Sequence, residues 1–287
     1  MSRTRRLSLV ASVGFAALLC GASPSLGQAY LGSSLTPYAV LGGQTVTCTG
    51  GSVITGSVGV DPGTATTGFP SPCIGVPIIP PASHPAQLNL VTAYGVLDAL
   101  TCSSTVGPDL AGLTLVPGVY CVNHAAVSNL SGTVHLNGLG DPNAVWVFLM
   151  TSDLTTSSDS VVSVENSGLP CGVQWLVRSS ATIGSGSTFV GNVVALTSIT
   201  VNTGANVAGR LLARNGQVAL DTNSVSFASC GAGGGNSGAP PPFPGPAGPG
   251  GSAIPTLSEI GALALLAVLL GSGAYLLRRR TPTDATT

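Results

Sequence analysis

Hydrophobic and polar positions alternate along much of this 287-residue chain, and between Val173 and Phe227 the alternation itself repeats. The stretches VQWLVRSSATIGSGSTFV from Val173, GNVVALTSITVNTGANVA from Gly191 and GRLLARNGQVALDTNSVSF from Gly209 align at a spacing of 18 residues. Trp175, Val193 and Leu211 share one column, Leu176, Val194 and Leu212 the next, and Val177, Ala195 and Ala213 a third. One residue is inserted in the last stretch, after which Ile183, Val201 and Leu220 align. A fixed period whose columns keep their chemical type marks a stacked repeat. β-Branched and small polar residues broken by Gly and Asn predict short strands joined by turns. The pattern therefore predicts a mainly β fold, a β-solenoid of about 18 residues per coil in which each coil rests on the previous one.

Strand side chains alternate between two faces. In SSATI, TSITV and QVAL, the apolar set Ala181/Ile183, Ile199/Val201 and Val218/Leu220 is expected to build the core. The set Ser180/Thr182, Ser198/Thr200 and Gln217/Ala219 then forms a flat, uncharged outer face.

One segment departs from the β pattern. PAQLNLVTAYGVLDAL carries Leu88, Val91, Tyr94, Val96 and Leu97 at near-helical spacing. Pro85 suits a first helical turn. A helix from Pro85 to about Leu100 is expected to pack on the outward column Leu176/Val194/Leu212, which needs cover. The preceding FPSPCIGVPIIPPASHP reads as an irregular loop.

The two ends read differently. Residues 1–27 carry Arg3, Arg5 and Arg6, an apolar stretch and then small residues, the layout of a secretory signal peptide. TRRLSL loosely resembles a twin-arginine signal, but Ser8 stands where a large apolar residue is usual. Residues 231–253 are a Gly/Pro linker, predicted to be an extended spacer. Ile254, Pro255, Thr256 and Leu257 follow, then an apolar run over 260–277 and Arg278–Arg280. Such a run spans roughly 27 Å as a helix, near the hydrocarbon thickness of a bilayer. The arginines would stay cytoplasmic. This ending resembles the bacterial IPTL-type C-terminal sorting signal, which implies export of everything before it and a membrane transpeptidase as partner. A plain single-span anchor is the alternative.

Residues 28–230 hold three arginines, no lysine and eight carboxylates, a net charge of −5 that disfavours nucleic acid. Six cysteines fall there: Cys48, Cys73, Cys102, Cys121, Cys171 and Cys230. An even count in an exported domain favours three disulfides. Fifteen pairings are possible and the sequence does not choose among them; Cys48–Cys73 and Cys102–Cys121 would close short loops, and Cys171–Cys230 would tie the final coil back to its neighbour. Without a CxxC or CxxH pair, no metal site is expected. Nor is any cofactor or catalysis. The domain has one Glu and no GxSxG; His84 heads the helix as a cap, and His124 and His135 have no acid placed to orient them.

Across the domain, VITGSVGVDPGTATTGF, the His84-headed helix ending AYGVLDAL, DLAGLTLVPGVY, AVWVFLMTSDLTT and FVGNVVALTSITVNTGANVAGRLLA occur in one order. In these the chain resembles the bacterial and fungal ice-binding-like proteins. The resemblance implies a right-handed solenoid of triangular cross-section with one helix alongside, the first coil of the chain completing the stack out of sequence order. It also implies adsorption to ice through a flat face, often with a TxxT-like strand, matched here by Thr197, Ser198, Ile199 and Thr200. The expected ice-binding residues are Ser180, Thr182, Thr197, Ser198, Thr200, Gln217 and Ala219, with Gln217 interrupting the hydroxyl pattern. Hydroxyls anchor ordered water and methyls let its neighbours form cages. The rival reading is a surface adhesion or matrix protein; oligomeric state is left open.

Overall fold

The computed structural model describes residues 30–123 and 129–227. The signal peptide, the linker, the sorting segment with Ile254–Leu257 and the run 260–277, and also His124 and Cys230, lie outside the described residues. Among the described residues no helix is long and apolar enough to cross a membrane.

The repeats stack as their period demands. Every strand pairing is parallel, and the three repeats are hydrogen-bonded in the register of their columns: Trp175 with Val193, Val193 with Leu211, Ala181 with Ile199, Ile199 with Val218. The strands form three walls, and most coils contribute one strand to each. The first wall runs Ser104–Val106, Gly118–Val122, Trp146–Met150, Val173–Val177, Asn192–Ala195, Leu211–Ala213, Tyr38–Gly42 and then Val53–Val60. The second runs Leu154–Thr155, Ala181–Ile183, Ile199–Val201, Val218–Asp221, Thr45–Thr49 and Ala65–Thr67. The third runs from Thr114–Leu115 through Thr133–Asn137, Val161–Glu165, Thr188–Val190 and Asn206–Ala208 to Ser224–Ser226.

The order of the walls shows a crossover. Strands of the last coil, at Leu211–Ala213, Val218–Asp221 and Ser224–Ser226, pair with Tyr38–Gly42, Thr45–Thr49 and Val53–Val60 from the start of the domain. The first coil thus caps the last, as the family resemblance implies. Val53–Val60 belongs to two walls, because its first residues pair with Ser224–Ser226 and its later ones with Tyr38–Gly42. Gly56 makes the corner at φ 129°, where a Cβ would strike the Phe227 ring at 2.5 Å.

Inside the coils, Tyr120, Phe148, Trp175 and Phe189 form a run of ring contacts with centroids 5.7, 4.0 and 5.2 Å apart. The Trp175 indole N–H donates across the core to the Val190 carbonyl at 3.0 Å, so a large apolar ring is buried without stranding its donor.

The helix spans His84–Asp98 and lies on the first wall. Leu90 and Leu97 join Leu41, Val147, Leu149, Leu176, Val194 and Leu212 in a second apolar cluster, so the Leu176/Val194/Leu212 column is covered as expected. The buried stripe is the expected one only at Tyr94 and Leu97. Ala86, Gln87, Leu90, Ala93, Tyr94 and Leu97 face the wall, whereas Leu88, Val91 and Val96 are exposed. This helix is apolar on most sides, so composition does not choose its rotation; its polar ends do. Ser83 Oγ donates to the Val60 carbonyl at 2.6 Å, His84 Nδ1 lies 3.0 Å from Asp61 Oδ2, and Arg178 Nε donates to Asp98 at 2.7 Å. Two alanines in the stripe also let the helix approach closely.

The Pro-rich segment needs correcting too. It contains a strand, Ile74–Ile78, paired with Val53–Val60 at the end of the stack. An edge strand needs only one side of its backbone, so Pro77 is tolerated there and blunts further pairing.

Candidate functional site

The three walls differ in what they offer outward. The first is covered by the helix. The third presents Thr133, Val161, Thr188, Asn206, Ser224, Val53 and Ile74 along one register row, a mixture of sizes and chemistries. The second presents one chemistry. Thr155 pairs with Thr182, Thr182 with Thr200, Thr200 with Ala219, Ala219 with Thr47, and Thr47 with Thr67. That makes a row of six positions, five of them threonine, at about 4.8 Å per coil. The row is flat because its neighbours point inward: Leu154, Ala181, Ile183, Ile199, Val201, Val218, Leu220, Val46 and Cys48 are all buried. β-Branched threonine favours few χ1 rotamers, which keeps the row regular.

Thr182, Thr200 and Ala219 fall in this row. Ser180 and Ser198 stand beside it, with Gln217 exposed in their line. Thr197 does not: it lies in the turn before Ile199–Val201, where its N–H donates to Ser179 and its carbonyl accepts from Gly216. Thr155, Thr47 and Thr67 extend the row beyond the positions chosen from the repeats. For the first coil the signal was present in TVTCT, where Thr45, Thr47 and Thr49 alternate with Val46 and Cys48. Nothing in the 18-residue period tied that alternation to the repeats.

The expectation of an uncharged face holds for the Thr row but not for its margins. Ala219 leaves a shallow depression bordered by Thr47, Thr49, Thr200, Asn202, Thr203 and Asp221. Hydrogen bonds from Thr203 first, then Thr222, hold the Asp221 carboxyl below the usual carboxylate range. Asp153 heads the serine line, its Oδ1 accepting the Ser180 N–H.

Two histidines sit differently from expectation. His135 does have an orienting acid: its Nδ1 lies 2.6 Å from Glu165 on the adjacent coil, which lowers the Glu165 pKa. Ser163 donates to the same carboxylate rather than to the imidazole, so the three form no nucleophile–base relay. The pairing was hidden because the residues are thirty apart and meet only through coil register. His84 is not the cap: Ser83 holds that position, and His84 begins the helix and pairs with the buried Asp61. Among the described residues, no group of three or more His, Cys, Asp and Glu is arranged to hold a metal ion.

Arg210, one of the three arginines of the domain, is buried. Its guanidinium donates to the Tyr38 and Thr36 carbonyls at 3.1 and 3.2 Å and lies 4.1 Å from the Phe227 ring centre. Burial pushes its pKa down to about 10. It ties the last coil to the first, and so helps hold Thr47 and Thr67 in line with Thr200. Cys48–Cys73 reinforces the same junction from within the Thr45–Thr49 strand, and Cys102–Cys121 closes the far end. Cys171 is disulfide-bonded as well.

Comparison with known proteins places this architecture. The sequence model of the ice-binding-like family matches residues 40–226. An ice-binding protein of Nostoc sp. (strain HG1) is 47% identical over 195 residues, covering 67% of this chain and 71% of its own. Among solved structures, an ice-binding protein from an Antarctic biological consortium is 37% identical with a TM-score of 0.65, over 75% of this chain and 96% of that one. One from the Antarctic ascomycete Antarctomyces psychrotrophicus is 35% identical with a TM-score of 0.64, over 68% and 96%. On its repeats, its crossed-over first coil and these matches, the chain belongs to the ice-binding-like family.

Proposed function

We propose that this chain binds ice, with Thr155, Thr182, Thr200, Ala219, Thr47 and Thr67 at the centre of the contact face. The observation that carries the reading is the in-register threonine row on the one wall that is both uncovered and chemically uniform. Adsorption to a lattice needs many weak, regularly spaced contacts. A rigid β stack supplies the spacing, hydroxyls supply the anchors, and methyls keep competing hydration away. The likeness to ice-binding proteins supports the same reading. The test is thermal hysteresis and ice recrystallisation inhibition by the fragment 28–230, whose extent matches nearly the whole of crystallised relatives. Activity in both is expected. Inactivity in both, with the fragment folded, overturns the reading in favour of surface adhesion.

The site of action proposed is the cell envelope, after export, with the solenoid displayed outside. The basic and apolar leader, the paired cysteines, the Gly/Pro linker and the Ile254–Leu257 motif with its apolar run and arginines support this. Deleting residues 254–287 is expected to release the solenoid; unchanged retention means the solenoid itself holds the surface, and the sorting segment does not.

A further inference from the structure

The contact wall carries two parallel lines of small polar residues, and their oxygens are used differently. In the serine line, each side-chain oxygen accepts a backbone N–H from the next coil. Asp153 Oδ1 accepts from Ser180 at 3.3 Å, Ser180 Oγ from Ser198 at 3.4 Å, and Ser198 Oγ from Gln217 at 3.3 Å. The carbonyls at the same positions are used as well: Ser180 accepts from Leu154, Ser198 from Ala181 and Gln217 from Ile199. The relay satisfies the N–H groups at the corner where each strand begins, groups that would otherwise lie partly buried without a partner. In the threonine row, by contrast, the hydroxyls of Thr182, Thr200, Thr47 and Thr67 make no hydrogen bond to other described residues. They stand free to bond to water outside the protein.

Building on the ice-binding reading, we infer that lattice contact is made along the threonine row alone, and that the serine line is a latch joining coil to coil. Recognition then runs in one direction, parallel to the stacking axis. Gln217 fits this division. A long amide in the middle of a contacting line would hold the surface off its neighbours, whereas in a latch line its side chain is free to stand in solvent, where it is found. Asp153 fits it as well, since a carboxylate serves as a latch acceptor but would impose its own hydration on a lattice contact.

The fragment 28–230 and its variants separate the two lines by two readouts, melting temperature and thermal hysteresis. Thr182→Val with Thr200→Val keeps the shape and removes two hydroxyls. It is expected to leave the melting temperature unchanged and to lower hysteresis at least about fivefold, the factor for two hydrogen bonds of ordinary net worth. Ser180→Ala with Ser198→Ala is expected to do the opposite, lowering the melting temperature and leaving hysteresis of the folded protein within about twofold. Ser198→Asn keeps an acceptor oxygen for the latch while enlarging the side chain, so it should fold like wild type and remain active. Gln217→Thr is expected to change hysteresis little. Loss of hysteresis in folded Ser198→Asn, or a clear gain in Gln217→Thr, overturns the one-row inference while leaving ice binding by this wall intact. Inactive wild type would sink the ice-binding reading itself.

Discussion

Thr200 and Ala219 are register partners on adjacent coils, and Ala219 is the one member of the six-position row without a hydroxyl. The row is therefore two threonine segments, Thr155–Thr182–Thr200 and Thr47–Thr67, separated by a depression. Ala219→Thr should join them. Its flanks Val218 and Leu220 are buried and unchanged, so folding should survive and thermal hysteresis should rise. Thr200→Tyr should abolish most of the hysteresis, because one protruding ring lifts the lattice from the residues on both sides. Equal hysteresis in wild type and folded Thr200→Tyr would place the contact on another wall.

The helix offers a direct test of its buried stripe. Leu90 is fully buried against the first wall, whereas Leu88 is 54% exposed. Leu90→Ala should cost about 2–5 kcal/mol in urea unfolding, the range for a core leucine truncated to alanine. Leu88→Ser should change stability by no more than about 0.5 kcal/mol. Comparable losses at both positions would mean that the helix packs through the other stripe.

Arg210 is a clamp between the ends of the domain. Arg210→Ala leaves the carbonyls of Thr36 and Tyr38 without their donor and is expected to cost about 2–4 kcal/mol. Arg210→Lys should recover little of this, since a single ammonium cannot reproduce the planar fork that reaches both carbonyls. Hydrogen exchange should locate the loss at Tyr38–Gly42 and Thr45–Thr49. A variant whose exchange rises uniformly over all coils would show that Arg210 has no special hold on the first.

All six cysteines of residues 28–230 are expected to be oxidised, so the unfolded, unreduced fragment should titrate no free thiol. Replacing Cys48 and Cys73 together by serine should cost about 2–5 kcal/mol. It should also reduce ice activity more than an equal destabilisation elsewhere, because Cys48 lies between Thr47 and Thr49 in the strand that extends the row. Two or more free thiols in the wild-type fragment would refute the three-disulfide framework.

Sequence alone determined the parts of this protein that are local or periodic. The 18-residue columns set the coil register from Trp175 to Leu220, because side-chain alternation leaves one in-register way to bury Ile183, Val201 and Leu220 together. The same alternation fixed which side Thr182, Thr200 and Ala219 face. Tertiary structure decided whatever depends on partners distant in the chain. The strand Thr45–Thr49 meets Val218–Asp221 some 170 residues away, and no period links them, so the row's extension to Thr47 and Thr67 appears only in the fold. The rotation of the helix was set by Asp61, Val60 and Arg178, which are remote from it in sequence. Serine and threonine on one wall look equivalent as letters. Only the backbone N–H groups that approach Ser180 and Ser198, and leave Thr182 and Thr200 alone, tell the two lines apart.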